Sequence, residues 1–175
     1  MQVPTRMCIT LNQPWEVLWG GLLHFIGPHA QHLPEYDQVV KWLANSHSKG
    51  LMLMGDMGRG KSIIALRILP VILQHFYQLN LTCVSAYDMN KQIDALKCKQ
   101  LLVLDDVGVE APFMDYGNRR DAFCEIVDAA EQHAALLIIT TNLNSEELYK
   151  RYGERTYDRL RGMMTKVVFM GESMR

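Results

Sequence analysis

The chain has 175 residues, of which 49% are hydrophobic and 21% charged, and its net charge is −1 at neutral pH. This length corresponds to one domain, and the hydrophobic share is enough for a sizeable core, which excludes an intrinsically disordered chain. A charge near zero gives no bulk electrostatic reason to bind nucleic acid or an anionic membrane, so either partner would need a local basic patch.

The cysteines and the apolar segments indicate where the protein works. The cysteines, Cys8, Cys83, Cys98 and Cys124, form no C-x-x-C pair, which argues against a zinc ribbon and suits a reducing cytoplasm. The apolar stretch of residues 15–27 is interrupted by charge and lacks a signal-peptide cleavage site, and no apolar run is long enough to span a bilayer. We therefore expect a soluble, cytoplasmic protein.

The N-terminal part differs from the rest of the chain. Residues 1–34 are broken by prolines and predict an irregular segment packed on the main domain, which comprises residues 35–175. A metal site at His24, His29 and His32 is the alternative, but their spacing does not support it. Residues 36–44 place apolar side chains on one face, which predicts a helix.

Beyond residue 50, short apolar runs alternate with helix-like segments. The predicted strands are residues 51–54, 81–85, 101–104, 136–140 and 167–170, and the predicted helices are residues 61–79, 88–96, 121–133 and 145–161. This alternation is typical of an α/β three-layer sandwich with a five-stranded parallel sheet. Pro70 is expected to kink the first of these helices or end it early.

A phosphate loop follows the first of these strands. It matches G-x-x-x-x-G-K-[ST] with Gly55, Asp56, Met57, Gly58, Arg59, Gly60, Lys61 and Ser62. Its glycines allow the backbone N–H groups to surround phosphate oxygens, Lys61 can reach the β- and γ-phosphates, and the Ser62 hydroxyl can bind Mg²⁺. The alternative is a glycine-rich turn that matches by chance, and the flanking strand and helix argue against it.

Polar side chains follow two later strands. Asp105 and Asp106 end the third strand, where Asp105 would hold Mg²⁺ and Asp106 would orient the attacking water. Asn142 ends the fourth strand and should lie level with the phosphate loop, because the carboxyl ends of parallel strands share one edge. The alternatives are an exposed acidic turn and a turn-forming asparagine.

The nucleotide base is expected to be adenine rather than guanine. The guanine-reading pattern N-K-x-D would need aspartate at position 93, but residues 90–94 read N-K-Q-I-D, with Ile93 there. The pattern also precedes the acidic strand instead of following it.

The last predicted helix carries Arg151, Arg155 and Arg159 at four-residue spacing, which predicts one basic stripe. Three interpretations stay open for it. The stripe is a solvated helix face, a nucleic-acid patch, or the source of an arginine for the phosphates bound by a neighbouring subunit.

Taken together, these motifs resemble those of the AAA+ ATPases of the helicase-loader group, the DnaC/DnaI/IstB-like family. The resemblance covers residues 36–175 and rests on segments 49–55, 58–62, 102–110, 139–143, 152–155, 158–160 and 171–175. It implies an AAA+ core that ends without a C-terminal lid domain.

The resemblance also implies roles for individual residues. ATP and Mg²⁺ would bind at residues 55–62 and Asp105, Asp106 would orient water, and Asn142 would be a sensor. Arg159 matches the arginine that completes an adjacent subunit's site, with Arg155 as second choice, so the chain would form a homo-oligomer on ATP. Hydrolysis would be slow or stimulated by a partner: a replicative helicase, a transposase, another DNA-processing protein or single-stranded DNA.

Two other functions are weighed beside this one. The first is a nucleotide-dependent adaptor with little turnover, since Asp106 reaches less far than a glutamate would. The second is a small-molecule P-loop kinase, for which Arg119 and Arg120 are the only candidate lid arginines.

Overall fold

The computed structural model describes residues 5–111, 113–115 and 118–174, so Arg175 of the last resemblance segment lies outside it. The helices are α1 Pro14–Ile26, α2 Tyr36–Ala44, α3 Lys61–Ile63, α4 Leu69–Tyr77, α5 Ala86–Met89, α6 Ile93–Lys97, α7 Ala122–Gln132 and α8 Ser145–Met163. The strands are β1 Gly50–Gly55, β2 Thr82–Ser85, β3 Leu101–Val107, β4 Phe113–Asp115, β5 Asn118–Arg120, β6 Leu136–Thr141 and β7 Met164–Phe169. None of the described helices is long and apolar enough to cross a membrane.

Five strands form one parallel sheet in the order β2-β3-β6-β1-β7, which confirms the predicted fold class. Side chains of β1 alternate between two buried clusters: Leu51 and Leu53 face α1, α2 and α4, whereas Met52 and Met54 face α5 to α8. The sheet is therefore covered by helices on both faces, and the two methionines are part of the core.

The sheet order brings the ends of β1, β3 and β6 together. Met54 pairs with Thr141, which also pairs with Val107 across a shifted register. The shift inserts one extra residue into β3 after Leu104, a bulge that contains Asp105 and Asp106. Asp106 has φ +60°, a conformation that L-residues rarely adopt and that often occurs at functional sites.

Residues 14–26 are helical, so the expectation of an irregular N-terminal segment was wrong for this stretch. Pro14 lies at the start of α1, where proline's fixed φ and missing N–H favour a helix rather than break it. Leu18 and Leu22, four residues apart, are buried in the same cluster as Leu51. Pro14 therefore marks where a helix begins and does not indicate an irregular segment.

Pro70 is accommodated by a local change of helix type. Between α3 and α4, residues Ile64–Ile68 form a π-helical segment, and the α-helix resumes at Leu69. Proline cannot donate to the carbonyl four residues earlier, and a wider turn before it accommodates this loss. The helical stretch ends at Tyr77, close to the predicted end.

Two further local features differ from the sequence predictions. The helix expected at residues 88–96 is two short helices, α5 and α6. The hairpin of β4 and β5 was not predicted, because three-residue strands give almost no periodic signal.

Helix α8 is kinked at Gly153, which has φ +80° and ψ 167°. The four-residue spacing of the arginines therefore does not make one continuous stripe, and that prediction was wrong. Arg151 contacts the loop after β3, whereas Arg155 and Arg159 contact α7. The signal in the sequence was a glycine within the predicted helix, since glycine permits a conformation that breaks the helix.

Replacing Gly153 with alanine should lower the free energy of unfolding by about 2 kcal/mol, because its φ and ψ lie in a region that only glycine adopts readily. Gly162 is the matched control, since it lies in the same helix with ordinary φ and an open Cβ position. Gly162→Ala should stabilise the protein by ~0.5–1 kcal/mol. Urea unfolding measures both, and equal effects of the two substitutions would contradict the role given to the kink.

Candidate nucleotide site

The phosphate loop joins the end of β1 to the start of α3. Gly55, Gly58 and Gly60 have φ values of +117°, +76° and +87°, which side chains disfavour. A Cβ on Gly55 would lie 2.1 Å from the Phe169 carbonyl oxygen. Both the backbone conformation and the neighbouring strand β7 therefore require glycine at the first position of the loop.

Lys61 lies beneath this loop and is only 6% exposed. Its ammonium group donates to the carbonyl oxygens of Gly55, at 2.8 Å, and Asp56, at 2.6 Å, and to Oδ1 of Asn142, at 3.0 Å. A buried charge is costly without such partners. The structure thus brings together Lys61, which begins α3, and Asn142, which follows β6, two residues that the sequence selected separately.

Asn142 also contacts the acidic end of β3. Its amide Nδ2 donates to Oδ1 of Asp106 at 2.8 Å. The backbone N–H of Asp106 donates to Oγ1 of Thr140 at 2.8 Å, and the Thr140 hydroxyl donates to Oδ1 of Asp105 at 2.6 Å. Thr140 therefore orients both aspartates. Sequence reasoning missed it, although a buried threonine at the end of a strand beside an acidic strand was a usable signal.

A cavity of about 550 Å³ opens above these side chains. One side is formed by Lys61, Ser62, Asp105 and Asp106, together with Asn142. The Ser62 hydroxyl and the Asp105 carboxylate supply oxygen atoms to the same cavity, and one or two such ligands completed by phosphate and water oxygens suit Mg²⁺. This donor set fits the ion.

The cavity is also lined by residues that precede β1 in the chain. Ile26, His29 and Tyr36 line it, and the Tyr36 hydroxyl lies close to the phosphate loop, 3.2 Å from where a Cβ on Gly60 would be. Burial, and after it the neighbouring Glu35 carboxylate, raise the pKa of Tyr36, so its hydroxyl keeps its proton and can donate. The lining of the cavity thus includes both polar and apolar side chains.

An ion pair that sequence reasoning did not find joins the start of α2 to the phosphate loop. Arg59 donates to Oε1 of Glu35 through Nε, at 2.9 Å, and Nη2, at 2.5 Å, and the two side chains are 11% and 6% exposed. Nothing in the spacing of residues 35 and 59 predicts this contact.

The chain after β7 holds the loop from the other side. This tail segment, residues 170–174, donates from the N–H of Gly171 to Oδ2 of Asp56 at 2.8 Å, and from the N–H of Met174 to the carbonyl of Gly58 at 3.1 Å. Arg59 donates to the Glu172 carbonyl at 3.3 Å. The phosphate loop is therefore contacted by Glu35, which precedes α2, and by the tail segment.

Arg155 and Arg159 do not line the cavity. Both pair with Asp128 of α7, Arg155 at 2.9 Å, and Arg159 also pairs with Glu131. The exposed fraction of the side chain is 75% for Arg155 and 23% for Arg159. Within this chain, the two candidate arginines are thus separate from the site formed by Lys61.

Other candidates from the sequence are placed away from the cavity. Arg120 pairs with Glu125 and Asp94, and the side chain of Arg119 lies outside the described residues. His32 contacts Asp37. In the part of the chain that the structure describes, no group of three or more His, Cys, Asp and Glu side chains could hold a metal ion, which removes the histidine alternative.

No family model and no curated protein matches the sequence. Among solved structures, the chain is similar to the DnaC helicase loader (TM-score 0.64, 18% identity, 91% of this chain and 100% of that one). It is also similar to DnaI (TM-score 0.58, 22% identity, 73% of each chain). A third similar structure is DnaA from Aquifex aeolicus bound to AMPPCP (TM-score 0.56, 14% identity, 79% of this chain and 48% of that one).

These similarities confirm, at the level of the fold, the resemblance found in the sequence. The chain therefore shares the three-layer α/β fold of the DnaC helicase loader and of DnaI, and in this chain the carboxyl edge of the parallel sheet carries the phosphate loop.

Replacing Glu35 with glutamine should lower the free energy of unfolding by about 3 kcal/mol, because the buried Arg59 would lose its ionic partner. Asp37→Asn is the matched control, since its pair with His32 is exposed and should contribute less than about 0.5 kcal/mol. Denaturant titration measures both. A loss for Glu35→Gln as small as for the control would show that the pair does not stabilise the loop.

Proposed function

We propose that this chain binds ATP with Mg²⁺ at the cavity and hydrolyses it, as an AAA+ ATPase similar to helicase loaders or transposition helper ATPases. One observation carries the proposal: Lys61, Asn142, Asp106, Thr140 and Asp105 form a continuous hydrogen-bonded network at the mouth of the phosphate loop. The fold alone would not require these side chains to meet.

The arrangement of these side chains supports the following proposed placement of the nucleotide. The loop N–H groups and Lys61 would hold the phosphates, and Mg²⁺, held by Ser62 and Asp105, would supply charge neutralisation when bound. The partly apolar wall with Ile26 and Tyr36 would receive the base, for which adenine is proposed. The AMPPCP bound to DnaA, a protein of the same fold, supports an adenine nucleotide.

Asp106 and Asn142 would act on the attacking water. The Asn142 amide donates to one oxygen of Asp106 and thereby fixes the direction of the carboxylate. A carboxylate held in this way can accept a proton from a water molecule placed beside the γ-phosphate. Asn142 also contacts Lys61, so its amide would report whether the lysine has moved to the phosphates.

Replacing Lys61 with alanine should weaken ATP binding by roughly 100-fold or more, because the phosphates would lose their buried cation. Titration with a fluorescent ATP analogue measures the dissociation constant. Lys41→Ala, at an exposed position of α2, should leave the affinity unchanged. Unaltered affinity in the folded Lys61→Ala protein would remove the site assignment.

A homo-oligomer is proposed because Arg159 lies away from the cavity of its own chain. An arginine supplied to a neighbour's γ-phosphate stabilises the charge that develops there. Asp128 and Glu131 now hold the Arg159 guanidinium, so it would have to exchange these partners for phosphate. Arg155, the more exposed of the two, is the second choice.

Arg159→Ala should lower the hydrolysis rate by roughly 1,000-fold, and mixing it with Lys61→Ala should restore part of the activity. In the mixture, an intact pocket meets an intact arginine at some interfaces. Arg161→Ala is the control, because Arg161 is exposed on the same helix and pairs only weakly with Asp158. Absence of recovery at every mixing ratio would contradict a role in trans.

The adaptor with little turnover is the second candidate function. It is favoured by Asp106, whose carboxylate is short and already bonded to Asn142. Single-turnover hydrolysis, with and without single-stranded DNA, separates it from the ATPase. In either case, the proposed partner is a replicative helicase, a transposase or another DNA-processing protein, and the likeness to the DnaC helicase loader supports the first of these.

A further inference from the structure

Glu110 is a buried carboxylate that the proposed chemistry does not use. It follows β3 by three residues, is 6% exposed and does not line the cavity. One carboxylate oxygen accepts a hydrogen bond from the N–H of Gly108 at 2.8 Å, and the other accepts one from the Tyr152 hydroxyl. A carboxylate is costly to bury, so these partners must hold it firmly.

Glu110 contacts the chain that follows the bulge of β3, residues 106–110, which we call the Asp106 loop. Gly108 follows Asp106 by two residues and has φ +113°, and a Cβ there would lie 2.7 Å from Leu143. Between them, the Val107 carbonyl accepts from Oγ1 of Thr141 at 2.6 Å. The path of the chain after Asp106 is therefore set by β6 and by the Glu110 carboxylate.

On the other side, Glu110 fixes the first half of α8. Tyr152 is buried, and its ring lies 4.5 Å from that of Phe123, measured between centroids. Arg151 donates from Nη2 to the Glu110 carbonyl at 2.5 Å. Burial and the Glu110 carboxylate raise the pKa of Tyr152, so its hydroxyl remains a donor at ordinary pH.

The contact with Tyr152 is made one residue before the kink of α8. Gly153 follows it directly, and the second half of the helix carries Arg155 and Arg159. The kink thus lies between the half that contacts Glu110 and the half that carries these arginines.

We propose that Glu110 is a positioning residue that joins the Asp106 loop to helix α8, so that the water-orienting carboxylate and the arginines offered to a neighbouring subunit are placed together. This proposal rests on the proposed function for its catalytic consequence. Its structural part, that the Glu110 carboxylate joins α8 to the Asp106 loop beside the contacts that Arg151 makes with Glu110, is independent of ATP.

The experiment uses the full chain with Glu110→Gln, Tyr152→Phe and the double variant. Tyr149→Phe is the matched control, because Tyr149 lies on the same helix and is exposed. Amide hydrogen exchange without nucleotide comes first. Tyr152→Phe should raise exchange at residues 106–108 by about 10-fold while exchange in β1 stays unchanged, because the opening is local.

The second measurement is single-turnover hydrolysis together with the dissociation constant for ATP. Each single substitution should lower the rate about 10-fold with the dissociation constant within about 3-fold, since the phosphate loop is intact. The double variant should be no slower than Glu110→Gln alone, because the two substitutions remove one shared contact.

Several results would overturn the proposal. Exchange at residues 106–108 that equals the Tyr149→Phe control would separate the loop from α8, and a general rise that includes β1 would reduce Glu110 to a stabilising residue. Additive rate losses, or a parallel loss of ATP affinity, would do the same. If the unaltered chain neither binds nor hydrolyses ATP, the proposed function fails, and the exchange data alone decide whether Glu110 joins the two elements.

Discussion

The positive charge of Lys61 is the constraint on which the architecture of the site depends. An ammonium group in the protein interior must have several oxygen partners, and here they come from the loop carbonyls and from Asn142. Those oxygens lie at the ends of β1 and β6, which are adjacent because the chain crosses over between them in a parallel sheet. Strand β6 also pairs with β3, and this pairing places Asp105 and Asp106 beside Thr140, close to Asn142. The order of the strands therefore determines which polar side chains surround Lys61.

A second consequence concerns the strength of the site's surroundings. The phosphate loop has no side chains of its own to hold it at its glycines, so its shape is imposed by neighbours. Glu35, at the start of α2, does so by pairing with Arg59 of the loop, and the Gly171 and Met174 amides do so from the tail segment. A loop that is held on both sides needs less reorganisation to receive phosphate, which is how preorganised donors contribute to binding.

The strand pattern and the site motifs could be predicted from sequence because their signals are local. Strands β1, β3 and β6 each contain a continuous apolar run, and the residues from Gly55 to Ser62 have fixed spacing within one loop. The contacts of Thr140, of Glu35 with Arg59 and of Glu110 with Tyr152 could not, since they join residues far apart and follow no period. The kink at Gly153 lies between these cases, because glycine permits such a conformation without requiring it.

The contacts of the tail segment also affect when the site can form during synthesis. Strand β1 is complete after residue 55, but its neighbours β6 and β7 are made more than 80 residues later, and the Gly58 carbonyl accepts a hydrogen bond from the N–H of Met174, later still. A chain still growing on the ribosome therefore holds an unfinished parallel sheet, with β1 unpaired, until its last strands emerge. The phosphate loop could not reach its final geometry before then, so a stalled or prematurely ended chain would lack the proposed nucleotide site.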